Sequence, residues 1–131
     1  MSMIDTPLMR GLERVLDVSA FRHQVIATNL ANVDTPGYRT RDVRSFAGEI
    51  EQAMAGQEEP FAGPSFAEAA FTPVAHEIHG LLERPDGNNV SVERESLLLA
   101  QNQLRFTTAV AFLKAEFHRL TSAITLGGST S

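Results

Sequence analysis

Two histidines lie close together in the sequence, His76 and His79, with Glu77 between them. On a helix this spacing places both imidazoles on one face, where they are able to bind a metal ion. A protein zinc site needs three or four ligands, and the sequence marks no third ligand for this pair. A metal hydrolase built on His76 and His79 is therefore a weak alternative, and the sequence predicts no metal site and no cofactor.

Catalytic signatures are missing elsewhere in the chain. Cysteine is absent, which excludes disulfides, thiolate metal ligands and a cysteine nucleophile. The sequence contains no G-x-S-x-G, P-loop or G-x-G-x-x-G motif. Glu58 and Glu59 are adjacent carboxylates in a glycine- and proline-rich stretch that offers no partner for acid–base work. We therefore expect neither an enzyme nor a protein that binds a small-molecule substrate.

The charge distribution argues against nucleic acid as a partner. The 131-residue chain has a net charge of −5, and residues 48–90 hold eight acidic residues against one arginine. Nucleic-acid binding needs a basic patch, which neither the acidic middle nor the nearly neutral ends supply. The sequence has no apolar run long enough for a transmembrane helix. Asp5, Glu13 and Asp17 interrupt its first apolar stretch, so we expect no cleavable secretory signal.

Two long segments have the periodicity of amphipathic helices. Residues 6–33 repeat apolar side chains at intervals of three and four, with Thr6 or Asp5 as a cap and Pro7 in the first turn. Residues 91–125 repeat the same pattern over more than four heptads, with Ser91 as the expected cap. Gly127 and Gly128 indicate a stop, so we expect a frayed tail over residues 126–131.

The middle of the chain, residues 34–90, lacks a long repeat and is rich in glycine and proline. We expect a short helix over residues 45–55, loops, and short strands, with residues 56–80 the hardest stretch to assign. The predicted fold is mainly α: the two terminal helices form an antiparallel, coiled-coil-like pair in one elongated domain spanning residues 1–131.

The length of the helices favours an assembly. At 1.5 Å per residue they would be roughly 40 and 50 Å long, longer than a globule of this size is wide. A pair of helices leaves much of such apolar stripes in water, so we expect neighbouring subunits to cover the rest. The residues predicted to pack in helix contacts or assembly interfaces are Leu12, Leu16, Ile26, Leu30, Leu99, Phe106, Val110, Leu113, Phe117, Leu120 and Ile124.

A turn follows the first helix in the order Thr35, Pro36, Gly37, Tyr38. This order is typical of a type II turn, because proline fixes φ at the first central position and glycine accepts a positive φ at the second. The turn ends a long helix sharply and sends the chain in a new direction. An array of identical helices needs such a turn, because every subunit must leave the array in the same way.

The string ATNLANVDTPGY, residues 27–38, resembles the N-terminal signature of bacterial flagellar axial proteins of the rod and hook. The residues that carry the resemblance are Asn29, Leu30, Ala31, Asn32, Thr35, Pro36, Gly37 and Tyr38. Arg41 and Asp42 follow the signature, and the string DGNNVSVERE beginning at Asp86 is similar to the region before the last helix of proximal rod proteins. Within the family the chain is most similar to these proximal members.

The resemblance implies a structural subunit of the basal-body rod, a helical tube in the periplasm that is exported by the flagellar type III apparatus without a cleaved signal. It implies as partners other copies of the chain, other rod proteins, the adaptor FliE, the export gate and the MS ring. The competing interpretation is a helical adaptor or export chaperone that binds a partner helix, since such a protein would also present long apolar stripes.

Overall fold

The computed structural model describes residues 6–44 and 72–128. Its elements are helix α1 (Pro7–Ala31), strand β1 (Arg41–Val43), strand β2 (Ala75–Glu77) and helix α2 (Val92–Gly128). The two helices pack against each other. They run antiparallel, since Asn102 lies against Ser19 while Phe112 lies near Leu12. The predicted mainly α fold with two long paired helices is confirmed.

Helix α1 begins where the sequence predicts and ends two residues earlier. The Thr6 hydroxyl accepts a hydrogen bond of 3.1 Å from the Met9 backbone N–H, which caps the first turn. At the other end the Asn32 N–H reaches the carbonyls of both Thr28 and Asn29, at 3.1 Å each. This shared bond tightens the last turn, and the chain leaves the helix after Ala31 although the apolar pattern continues to residue 33.

Helix α2 begins at Val92, with the Ser91 hydroxyl accepting a hydrogen bond of 3.3 Å from the Arg94 N–H. It continues to Gly128, three residues beyond the predicted end at residue 125. Glycine lowers helix propensity but keeps its N–H, so Gly127 and Gly128 weaken the helix without ending it. The expected tail of residues 126–131 is therefore helical as far as Gly128, and residues 129–131 lie outside the described part.

The two strands form a short antiparallel sheet with Arg41 opposite Glu77 and Val43 opposite Ala75. The sheet packs on α1, where Val18, Val25 and Val43 form a buried apolar cluster. His76 lies in β2, so His76 and His79 do not share the helical face that their spacing suggested. The predicted short helix over residues 45–55, and most of the stretch 56–80, lie outside the described residues.

The contact between α1 and α2 has an unusual composition. The α2 residues buried against α1 are Glu95, Asn102, Ala109 and Glu116, which follow one another at intervals of seven. Three of these four side chains are polar, whereas several large apolar side chains of α2 remain exposed. Within residues 6–44 and 72–128 no helix is both long and apolar enough to cross a membrane.

Candidate functional site

The predicted turn after α1 is present in the structure. Gly37 has φ of +74°, in the region that favours glycine. The Tyr38 N–H donates to the Thr35 carbonyl at 3.2 Å, which closes the turn. The prediction of a positive φ at Gly37, at the second central position of a type II turn, is confirmed. The turn brings Tyr38 back toward the end of α1.

Asn29 connects this turn to both strand β1 and helix α2. Its side chain is completely buried. The amide NH₂ donates to the Arg41 carbonyl at 2.7 Å and to Glu95 Oε2 at 2.9 Å. The amide oxygen accepts from the Tyr38 hydroxyl and from the Arg41 N–H, both at 3.1 Å. Asn29 therefore pairs with both backbone groups of Arg41, as a neighbouring strand would.

A chain of charged groups continues from Asn29 across the interface. Glu95 is completely buried, and its second carboxylate oxygen accepts a hydrogen bond of 2.8 Å from Arg94. Arg94 also lies 3.8 Å from Asp42. Asp42 in turn forms two hydrogen bonds with Arg22 of α1, at 2.8 and 2.9 Å. Paired, forked contacts of this kind fix geometry as well as charge, so β1 is tied to both helices.

The phenol of Tyr38 lies half-buried in this region. Burial raises the pKa of Tyr38 above its usual value. The charge of Arg41 opposes this rise, and the carboxylate of Glu95 adds to it. The phenol therefore stays protonated at neutral pH and is able to donate its hydrogen bond to Asn29.

The loop before α2 closes the end of α1 from the other side. The Asn88 side-chain amide donates to three carbonyls, those of Asn32, Val33 and Thr35, at 2.9, 3.0 and 2.9 Å. Asn32 is the residue at the C-terminal boundary of α1, and Val33 and Thr35 follow it in the turn. Asn88 therefore holds the backbone just after α1 from a segment more than fifty residues away in the sequence.

The same loop also contacts the turn directly. The Gly37 N–H donates to the Asp86 carbonyl at 2.9 Å. Gly87 has φ of +85°, and a side chain there would approach the Gly37 Cα to 3.4 Å. The Asn89 side-chain oxygen accepts from the Thr40 N–H at 2.7 Å. The DGNN segment thus packs backbone to backbone against the TPGY turn.

We call this region the polar junction, and define it by Asn29, Tyr38, Asp42, Asn88 and Glu95. Its polar groups are bonded to one another and to the backbone, so it is built to hold three segments in a fixed arrangement. Among residues 6–44 and 72–128, no group of three or more His, Asp or Glu side chains is placed to hold a metal ion. His76 and His79 are both exposed.

The residues predicted to pack in helix contacts fall into two groups. Ile26 is fully buried against its neighbours. Seven others are half-buried: Leu12, Leu16, Leu30, Leu99, Val110, Leu113 and Leu120. The three remaining residues, Phe106, Phe117 and Ile124, are exposed, and Phe117 keeps 52% of its surface in solvent. The α2 residues of this set lie next to the buried positions 95, 102, 109 and 116 rather than at them. Helix α1 therefore covers only part of the predicted stripe.

The signature residues divide in a similar way. Asn29 is buried, and Leu30, Asn32 and Tyr38 are half-buried. Ala31, Thr35, Pro36 and Gly37 are exposed. The turn is therefore held from within by Asn29 and Tyr38, while its outer side is open.

Sequence reasoning missed the inward-facing polar residues Glu95, Asn102 and Glu116. Together with Ala109 they repeat every seven residues, and this spacing was visible in the sequence. The buried face of a helix is normally identified from its apolar residues, however, and the apolar residues of α2 lie on the adjacent face. Two further residues were missed, Asn88 and Asn89. Both stood in the DGNN string, where asparagine beside glycine indicated only a turn.

Comparisons with known proteins agree on one family. No family model matches the chain. The flagellar basal body rod protein FlgB of Aeromonas hydrophila is 31% identical over 114 residues, which cover 83% of this chain and 86% of the relative. FlgB of Salmonella typhimurium is 29% identical over 82% of this chain and 86% of the relative. FlgB of Bacillus subtilis is 29% identical over 91% of this chain and 94% of the relative. The chain belongs to the FlgB family of flagellar basal body rod proteins.

Proposed function

We propose that this chain is a structural subunit of the flagellar basal-body rod, and that it assembles through the exposed faces of its two helices with copies of itself and with other rod proteins. Family membership supports the rod assignment. The finer part of the proposal places the subunit in the proximal rod, as part of a helical tube that joins the MS ring and the export gate to the rest of the axial structure.

One observation about α2 carries the assembly proposal. Between Glu95 and Lys114 the helix has 18 residues and a single charged side chain, Arg105. Large apolar side chains in this stretch are exposed on several sides, including Leu97, Leu104 and Phe112. Exposed apolar surface of this extent marks a site of interaction with other proteins. Helix α1 covers one side, so other chains must cover the rest.

The polar junction contributes a fixed shape to this assembly. It sets the direction in which the chain leaves α1 and the side from which α2 begins. In a tube of repeated subunits, an error of direction in one subunit is repeated in all of them. A junction held by buried hydrogen bonds rather than by loose apolar contacts gives each copy the same geometry.

The proposal also covers partners, place and chemistry. As a proximal rod subunit the chain would contact the adaptor FliE, the export gate and the MS ring. It would lie in the periplasm and arrive there through the flagellar type III apparatus without a cleaved signal. The exposed positions of His76 and His79 support a protein that is not an enzyme.

Isolation of basal bodies tests this function. The chain, tagged in the exposed part of the 72–91 segment, is produced in cells that lack their own copy, and washed basal bodies are analysed by mass spectrometry. We expect the chain in the rod fraction at a fixed ratio to other rod proteins. An adaptor or chaperone would be absent from washed basal bodies, which would contradict the proposal.

A substitution pair sharpens the same experiment. Leu120→Asp places a charge within the apolar stripe of α2, at a half-buried position, and we expect it to abolish rod formation, because an unpaired charge in a packed interface is costly. Thr121→Asp adds the same charge at the next, exposed position of α2. We expect Thr121→Asp to support rods, and equal behaviour of the two variants would argue against a packed face.

A further inference from the structure

Two parallel lines of side chains run along α2, and they differ sharply in polarity. The inner line, Glu95, Asn102, Ala109 and Glu116, faces α1. The outer stripe lies next to it and consists of Leu99, Phe106, Val110, Leu113, Phe117, Leu120 and Ile124. With 100° of rotation per residue, the middle of the outer stripe is turned by roughly 70° from the inner line. Helix α1 therefore packs on the more polar of two adjacent surfaces.

Apolar burial alone would favour the other arrangement. A rotation of α2 by that angle would bring the leucines and phenylalanines of the outer stripe against α1, and it would turn two carboxylates and an amide out into water. The observed pairing therefore needs a specific contact that outweighs the burial of more apolar surface.

Asn102 supplies such a contact in the middle of the helix pair. Its side chain is 2% exposed, and its amide NH₂ donates to the Ser19 carbonyl at 2.8 Å. Cavities of about 50 and 320 Å³ lie on either side of this contact. The hydrogen bond is therefore not a by-product of tight packing around it. Rotation of α2 would break this hydrogen bond between the Asn102 amide and the Ser19 carbonyl.

A second contact, between Asn29 and Glu95, holds the helices at the end nearest the turn. It lies seven residues before Asn102 on α2, and it belongs to the polar junction. At the opposite end a cavity of about 380 Å³ is lined by Leu8 and Leu12 of α1 and by Phe112, Ala115, Glu116 and Arg119 of α2. Asn102 thus acts where the junction no longer constrains the helices and the packing becomes open.

We propose that Asn102 is a specificity-determining residue that keeps α1 on the inner line of α2 and so leaves the outer stripe free for a helix of another subunit. Buried asparagines at heptad positions are known to select one helix pairing over more stable alternatives. The first half of this proposal concerns the single chain alone. The second half, the reserved stripe, rests on the proposed rod function.

Cysteine labelling tests the first half directly, because the natural chain has no cysteine. Ala109→Cys reports on the buried inner line, and Gln103→Cys reports on the exposed flank beside the outer stripe. Each is introduced into the full chain, and its rate of reaction with a maleimide is measured. With Asn102 present we expect the Gln103→Cys variant to react at least tenfold faster than the Ala109→Cys variant.

Removal of the contact should erase this difference. In the Asn102→Ala background we expect the two rates to approach each other, with the Ala109→Cys variant faster than before. Gln101→Ala removes an exposed amide from the adjacent position and should leave the tenfold ratio intact. Asn102→Asp keeps the size of the side chain but loses the amide donor, and the same labelling rates are measured in this background. Circular dichroism of each variant records its helix content. An unchanged ratio in Asn102→Ala and Asn102→Asp, or equal rates in the parent chain, would overturn the proposal.

The second half is tested in cells by incorporation into basal bodies. We expect Asn102→Ala chains to be made at normal level but to enter the rod at least tenfold less than Gln101→Ala chains. If the two cysteine labelling rates become equal in Asn102→Ala chains and these chains still enter the rod fully, the claim that the outer stripe is kept for another subunit is wrong. Absence of even the unsubstituted chain from basal bodies would instead contradict the rod function, while the labelling result on the single chain would stand.

Discussion

The two ends of the helix pair are held by different kinds of interaction. At the closed end, near the turn, Asn29, Glu95 and Asn88 are buried and bonded to backbone and side chains from three segments. At the open end, Leu8, Phe112 and Leu126 are exposed, and a cavity lies between the helices. The closed end is held by a buried polar network, while the open end combines exposed apolar side chains with the ion pair between Glu116 and Arg119 within α2.

This difference indicates where the information for assembly lies. A buried polar network gives one geometry, because any displacement leaves donors or acceptors without partners. Exposed apolar side chains accept contact from many directions, and they gain from any partner that excludes water. We infer that the closed end fixes the shape of the subunit by itself, whereas the open end takes its final packing from neighbouring chains.

Asn29→Leu should have the largest effect on this contrast. It removes four hydrogen bonds and leaves the buried Glu95 carboxylate with one partner fewer, at an expected cost of roughly 3–5 kcal/mol. Hydrogen exchange measured by mass spectrometry should show faster exchange of residues 38–43 and of the first turns of α2. Gln24→Leu, at an exposed position of α1, should leave both regions unchanged. Similar exchange in the two variants would mean that the polar junction does not hold the closed end.

The sequence predicted the parts of this end that depend on local chemistry. Pro36 and Gly37 specify their turn through their own backbone preferences, and Thr6, Pro7 and Ser91 mark helix starts in the same way. The role of Asn29 was not predictable from its neighbours, because its partners Arg41 and Glu95 lie 12 and 66 residues away in the sequence.

The helix contact shows a second limit of sequence reasoning. The spacing of apolar residues correctly predicted two long paired helices. It did not predict which side of α2 would face α1, because both adjacent lines repeat every seven residues and the polar line is the one that is buried. We propose that the hydrogen bond from Asn102 to the Ser19 carbonyl decides between them.

The second largest effect is expected from Phe117→Ala in α2, and it should appear in the assembled rod rather than in the single chain. Phe117→Ala removes an exposed aromatic side chain, so helix content and hydrogen exchange of the single chain should hardly change. In the rod, where we propose that a neighbouring subunit covers this position, the loss should cost up to about 3 kcal/mol per subunit and reduce motility on soft agar. Lys114→Ala, on another exposed face of α2, should leave motility normal. A large change in the isolated chain would show that Phe117 already packs within it.

A smaller effect is expected from two glycines that belong to the two ends. Gly37→Ala, at φ of +74°, should cost roughly 1–2 kcal/mol, because a side chain disfavours this backbone conformation. Gly11 lies in α1 near the open end, and a methyl group there meets no atom within 4 Å. Gly11→Ala should therefore stabilise the helix by up to about 1 kcal/mol. Chemical denaturation followed by circular dichroism compares the two, and a shift of the same sign in both would contradict the turn geometry.

The smallest effect should come from His76, the residue whose spacing first raised the question of a metal. Its side chain is exposed on strand β2, opposite Asp42 in the sheet, and it contributes to neither end of the helix pair. An exposed substitution of this kind usually changes stability by less than about 0.5 kcal/mol. His76→Ala cells should therefore swim normally. Addition of zinc should have the same effect on the melting temperature of the parent chain as on that of the His76→Ala chain. The comparison with His79→Ala completes the test, because a metal site would need both imidazoles. Two outcomes would contradict this prediction: loss of motility in either variant at normal protein level, or a zinc-dependent rise in melting temperature that both substitutions abolish. Either outcome would indicate that the histidines, rather than the polar junction and the outer stripe, form the functional site of this protein.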